Sequence, residues 1–324
     1  MPNPSDLEMI RAAAAGDVER IRALFDRGAN VNARWGNGAT PLLAAAVAGR
    51  VDAVRALLQQ GADVNARYQD EATVLIMAAT QGQAQVVAAL LAAGAGTGER
   101  TRGGVTPLLA ASIEGHAETV EALLAVGADP DAADERGVTP LIGAALNGHM
   151  QVVCALLACA AAVNVRAQSG ITALSAAVAA GNSGIAWVLL EKGADVNTRD
   201  GQDRPLLVSA SAAGNVEIAG FLIDHGAQIE TSDAVGTHPL LAATVGGRVP
   251  VMKLLLERGA NPDARGREGI TPLIAGVVKD QPEAVELLLA SGANPALRTE
   301  NGLCALDAAR AGGLEKMVAM LAGR

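Results

Sequence analysis

Side chains able to do acid–base or nucleophilic chemistry are few and scattered. Four histidines (His116, His149, His225 and His238) and three cysteines (Cys154, Cys159 and Cys304) are spread over 324 residues. Histidine titrates near neutral pH, but His225 and His238 have no evident partner in the sequence. The cysteines have neither a zinc-ligand spacing nor the even count of a disulfide framework, so no metal is expected. No Gly-rich phosphate loop follows a strand pattern and no nucleophile elbow is present, so no cofactor is expected. Charged groups gather at Asp70 and Glu71, and again at Asp134, Glu135 and Arg136, with Glu114 between the two groups in sequence. A carboxylate at the rim of an apolar cleft can act as an acid or base. Solvated surface charge is the plainer reading of all of them.

The elements that would position these groups must be built from small apolar residues. Half the chain is hydrophobic, 18% is charged and only 2% is aromatic. That composition supports a large core of Ala, Leu and Val and is far from a disordered one. Small side chains let helices approach closely. The formal net charge of −9 and the lack of a Lys/Arg cluster argue against nucleic acid as a partner. The apolar run from Val86 to Gly96 is too short for a bilayer, which needs about 20 residues, so no membrane partner is expected. The start of the chain lacks a basic segment followed by an apolar one, so no signal peptide is expected. Cysteine usage suggests a reducing, cytoplasmic setting.

A repeat organises the chain. Thr40, Thr73, Thr106, Thr139 and Thr172 are spaced by 33 residues, and Pro205, His238, Thr271 and Cys304 continue the count. Gly49, Gly82, Gly115, Gly148, Gly181, Gly214 and Gly247 keep the same phase, as do the leucine pairs from Leu57-Leu58 to Leu189-Leu190. In one unit, Thr106 caps a helix whose first residue, Pro107, lacks only an N–H that would be unpaired there. Gly115 ends that helix in a left-handed turn. His116 to Leu124 forms a second, antiparallel helix, and the segment from Gly127 to Asp131 leads out of it. A single unit cannot bury its apolar face, so units must stack.

This pattern resembles the ankyrin repeat, with its Thr-Pro-Leu helix start and period of about 33. The resemblance implies an all-α ankyrin-repeat solenoid of stacked helix-turn-helix units joined by hairpin-like loops. Residues 1–34 would form an N-terminal capping repeat, 35–298 eight internal repeats, and 299–324 a C-terminal capping repeat. His116 and His149 would hold a structural place at the start of the second helix. The consensus histidine after Thr-Pro-Leu is missing throughout; Leu109 and Ile142 are among its replacements. Ala160 replaces a loop glycine, Asp280 replaces a helix-turn glycine, and the glycine-rich 94–98 segment should be looser.

The resemblance also implies binding on the concave side, through loop tips and the exposed face of each first helix. By alignment that surface is apolar, most clearly at Val105, Ile113, Val138, Leu146 and Ile171. A contiguous exposed cluster there would suit a partner, although the same residues can be shared with the core. Trp35 and Tyr68 hold equivalent loop positions in consecutive units and are candidate anchors; covering the end of the stack is their alternative role. Trp187 lies on a second helix, where it would either lie flat on a neighbour or form a convex patch.

Two functions follow. One is a protein–protein interaction scaffold that uses Trp35, Tyr68, Val105, Ile113, Glu114, Arg136, Val138, Leu146 and Ile171. The other is a binding protein for a hydrophobic small molecule, or an unusual enzyme, with a pocket in the central groove. In the enzyme reading Glu114, Arg136 and Tyr68 would act, because apolar lining with a few convergent polar groups is the usual character of such sites.

Overall fold

The computed structural model describes residues 4–36 and 38–322. The outer ends of the two expected capping units, 1–3 and 323–324, lie outside the described residues. Among those described, the chain is all-α, with twenty α-helices, two short 3-10 turns and no strand.

Contacts divide the chain into two units, residues 1–168 and 169–324. The first holds α1 Pro4–Ala15, α2 Val18–Asp26, α3 Pro41–Val47, α4 Val51–Gln59, α5 Val74–Thr80, α6 Ala84–Ala92, α7 Pro107–Glu114, α8 Ala117–Ala125, α9 Pro140–Asn147 and α10 Met150–Ala158. The second holds α11 Ala173–Ala180, α12 Ser183–Glu191, α13 Leu206–Ala213, α14 Val216–Asp224, α15 Pro239–Val245, α16 Val249–Glu257, α17 Pro272–Val278, α18 Pro282–Ala290, α19 Ala305–Ala311 and α20 Glu315–Ala322. Within each unit every helix packs on its sequence neighbour in the pair and on its counterpart one repeat away.

Helices this short are unstable alone, so packing must hold them. Leu42, Leu75, Leu108 and Leu141 on the first helices of the first unit are at most 1% exposed. Leu57, Leu90, Leu123 and Leu156 on its second helices are fully buried. Leu207, Leu240 and Leu273, with Leu222, Leu255 and Leu288, repeat this in the second unit.

The caps follow the local chemistry. The Oγ1 atoms of Thr40, Thr73, Thr106, Thr139, Thr172 and Thr271 each accept a hydrogen bond from the backbone N–H three residues on. Pro205 cannot do this, and His238 makes no side-chain cap. Cys304 instead donates its thiol to Asp307 Oδ2 at 3.1 Å, and its backbone N–H donates to the same oxygen. The Gly115 φ is +81°, and Asp280 and Ala160 hold left-handed backbone at +52° and +59°.

A second set of bonds joins one repeat to the next. His116 Nε2 donates to the Thr80 carbonyl at 3.0 Å, and His149 Nε2 to the Ile113 carbonyl at 2.9 Å. Arg50 and Arg248 place Nε on the carbonyls of Ala14 and Ala212 in the same way. Each clip reaches back 36 residues to the C-terminal end of the preceding first helix, where unpaired carbonyls concentrate. The histidine rings lie so close to Gly82 and Gly115 that a β-carbon at either would strike them.

The loops carry a ladder. Asn32, Asn65 and Asp131 each accept from a backbone N–H 31 residues on. Asn197, Glu230 and Asp263 do the same in the second unit. Gly98 occupies the ladder position in its repeat and has no side chain to offer there.

Candidate binding surface

In several repeats the loop before the first helix closes as a tight hairpin that one side chain locks. Asp134 Oδ1 accepts from the N–H groups of Arg136 at 2.9 Å and Val138 at 2.8 Å. Asp200 Oδ1 accepts from Gln202 and Arg204, and Asp233 Oδ1 from Val235 and Thr237. The hydroxyls of Thr101 and Thr299 each take one such bond. Trp35 and Tyr68 stand at this same position in their own repeats. Their hairpins close through backbone bonds, Trp35 with Ala39 and Tyr68 with Ala72, and Arg67 Nη1 adds a bond to the Glu71 carbonyl in the second. Trp35 is 43% exposed. The Tyr68 ring lies beside Gly38, at the hairpin that Trp35 opens.

The other expected residues of the first unit fall on two levels. Val105 is partly buried and packs on Ala72, Ile76 and Ala110. Ile113 leans over Gly143, where a β-carbon would stand 2.8 Å from its Cγ1. Val138 is half-buried, whereas Leu146 is 50% exposed. Glu114 is exposed at the end of α7. Arg136 extends into solvent and places Nε 3.3 Å from Asp134 Oδ2. In the second unit, Ile171 packs over Gly201 and is half-buried. The first-helix groove positions supply four of the exposed large apolar side chains: Val47, Leu146, Val245 and Val278. Trp187 is 45% exposed on α12.

His225 does have partners. Its Nδ1 faces the Phe221 carbonyl at 2.8 Å and its Nε2 faces Glu191 Oε1 at 3.3 Å. Glu191 was missed because it is 34 residues away and meets the ring only across a repeat boundary.

Two concavities open along the first-helix face of the second unit. One, of about 390 Å³, is lined by Val208, Ala212, Leu241, Val245 and Ile270, with Arg204, Thr237, Asp233 and Arg267 at its polar edge. The other, of about 370 Å³, lies between Val178, Ala179 and Ala213 and holds Asp200, Arg204 and Ser209. Ser209 Oγ donates to Asp200 Oδ2 at 2.7 Å. Arg204 sets Nε and Nη2 on the same oxygen at 3.0 and 2.9 Å. Burial pushes the Asp200 carboxyl up. The bonds from Ser209, from the Arg204 and Gln202 backbone and from the Arg204 guanidinium outweigh burial and hold it below the usual carboxylate range. Arg204, Thr237 and Ile270 stand whole periods after Val138, and Ala212 and Val245 whole periods after Leu146, but Ser209 stands at neither place. Its signal is a hydroxyl where Ala176 and Ala242 stand one repeat away on either side.

No group of three or more potential metal ligands occurs among the described residues, and none of their helices is long and apolar enough to cross a membrane. Models of ankyrin repeats match residues 8–68, 64–134 and 108–200 as tandem arrays, and residues 235–267 and 268–300 as single repeats. No curated protein matches the chain.

Proposed function

The chain belongs to the ankyrin-repeat family, and from that premise we propose a scaffold that holds a partner protein on the first-helix face. Ankyrin repeats generally mediate protein–protein interaction. The observation that carries the reading is the recurrence of an exposed apolar side chain at one helical position: Val47, Leu146, Val245 and Val278, with Val278 66% exposed. In the second unit Val245 and Val278 stand one repeat apart, and an exposed apolar pair of that kind suits a partner. Trp35 and Tyr68 extend the surface at the loops of the first unit, and Glu114 and Arg136 supply polar edges beside Ile113 and Val138. In this reading residues 1–34 and 299–324 are caps around eight internal repeats, and the three free cysteines accord with a cytoplasmic setting.

The catalytic or small-molecule alternative has less support. Glu114 is solvent-exposed, Arg136 is engaged by Asp134, and the Tyr68 ring lies beside Gly38. The scaffold is tested by affinity capture from the native host with the full chain and with an Ile113→Arg/Leu146→Arg variant. Loss of a partner supports the first-unit face; unchanged recovery removes it.

A further inference from the structure

The repeat that spans α13 departs from the others at two positions of one face. Val138, Ile171 and Ile270 hold the loop-tip place that Arg204 takes here, and alanines hold the place of Ser209 in the repeats on either side. The guanidinium is thus set beside apolar side chains, Val208 and Ile270 among them. Asp200 aims it: the carboxylate engages Nε and Nη2 and leaves Nη1 outside the ion pair. Ser209 in turn fixes the carboxylate.

The cavity beside Arg204 is walled by Val208, Leu241, Val245 and Ile270, and its volume of about 390 Å³ suits an apolar side chain or two. Its ionisable lining is Arg204, Arg267 and Asp233. Asp233 is committed to its own hairpin, where Oδ1 accepts from Val235 at 3.0 Å and Thr237 at 2.8 Å. Arg267 meets Glu268 only at 3.8 Å, and its side chain is 74% exposed. The Nη1 edge of Arg204 and the weakly paired guanidinium of Arg267 therefore offer donors at the rim of an apolar cavity, while Asp200 and Asp233 are already taken up by hydrogen bonds. A guanidinium fork matches a carboxylate in both charge and shape.

We propose that this cavity takes an apolar side chain of a partner peptide segment whose neighbouring carboxylate is held by Arg204 and Arg267. The inference rests on the scaffold reading and names the partner chemistry for the second unit.

The test pans a random-peptide display library on the full-length chain, then measures enriched peptides by fluorescence polarisation. The expected consensus pairs a bulky apolar residue with Asp or Glu. Replacing that acid by its amide should weaken binding to the wild type about tenfold or more. The same replacement should have little effect on an Arg204→Gln/Arg267→Gln variant, because the coupling is lost with the arginines. Arg204→Lys, which keeps charge but not the fork, should fall between, and circular dichroism melting identifies any variant that does not fold.

A neutral or basic consensus, or equal binding of acid and amide peptides, overturns the proposal and leaves the scaffold reading intact. Failure of any peptide to bind also overturns it; the scaffold reading falls too only if affinity capture finds no partner. Self-association of the wild type that the Arg204→Gln/Arg267→Gln variant loses would give the face to a second copy, which overturns the proposal as well.

Discussion

Ser209 on α13 donates a hydrogen bond to Asp200 across 2.7 Å and so ties a first helix to the hairpin that precedes it. Burial raises the Asp200 carboxyl, and the hydrogen bonds around it bring the net shift below the ordinary value. A carboxyl depressed in the folded state contributes stability above its unfolded pKa, about 3.9, and loses it as pH falls through the folded value. Wild type and Asp200→Asn should therefore differ in melting temperature above about pH 4, with the gap closing as the pH is lowered further. Melting curves across that range check this; a gap that does not narrow would mean the bonds to Asp200 do not favour its charged form.

Thr119 is fully buried on α8, and its hydroxyl has no partner. Val86 and Val152 take its place in the flanking repeats. Thr119→Val keeps the shape and removes a desolvated polar group, so urea unfolding should show a gain of about 1 kcal/mol.

Ala160 holds a φ of +59° where most repeats have glycine. Left-handed backbone costs a side-chain-bearing residue roughly 1–2 kcal/mol, and glycine's extra chain entropy returns part of that. Ala160→Gly should raise stability by about 0.5–1 kcal/mol in the same assay. A loss would show that the surrounding loop relaxes the strain.

Tyr68 stands where Asp134, Asp200 and Asp233 lock their hairpins. Tyr68→Asp should change stability by less than about 1 kcal/mol, since new backbone bonds offset lost packing. If the ring is an anchor, partner affinity should fall by about tenfold or more. Unchanged affinity would confine Tyr68 to covering Gly38.

Much of the fold could be read from the chain because its determinants are local. Thr106 and Pro107 start a helix, Gly115 stops it, and the 33-residue period repeats both. What escaped lay between repeats, or, for Ser209 and Asp200, between two segments of one repeat. The partners of His225, the carbonyl clips of His116 and His149, and the aim of Ser209 at Asp200 depend on how side chains point once units or segments meet. Trp35 and Tyr68 stood out as aromatics, but that they occupy the hairpin-locking position is clear only beside Asp134 and Asp200.

The clips from Arg50, His116, His149 and Arg248 each reach back 36 residues, one period plus a constant offset of three. Excision of residues 106–138 would bring His149 to the distance from Thr80 that His116 now holds. The donor would change and the bond would be remade. Loss or duplication of whole periods thus returns the 36-residue spacing at the new seam, whereas a one-residue slip sets the clip that spans it off its acceptor and leaves the later ones in register. Recombination in multiples of the period can lengthen or shorten such a chain while its joints stay chemically matched.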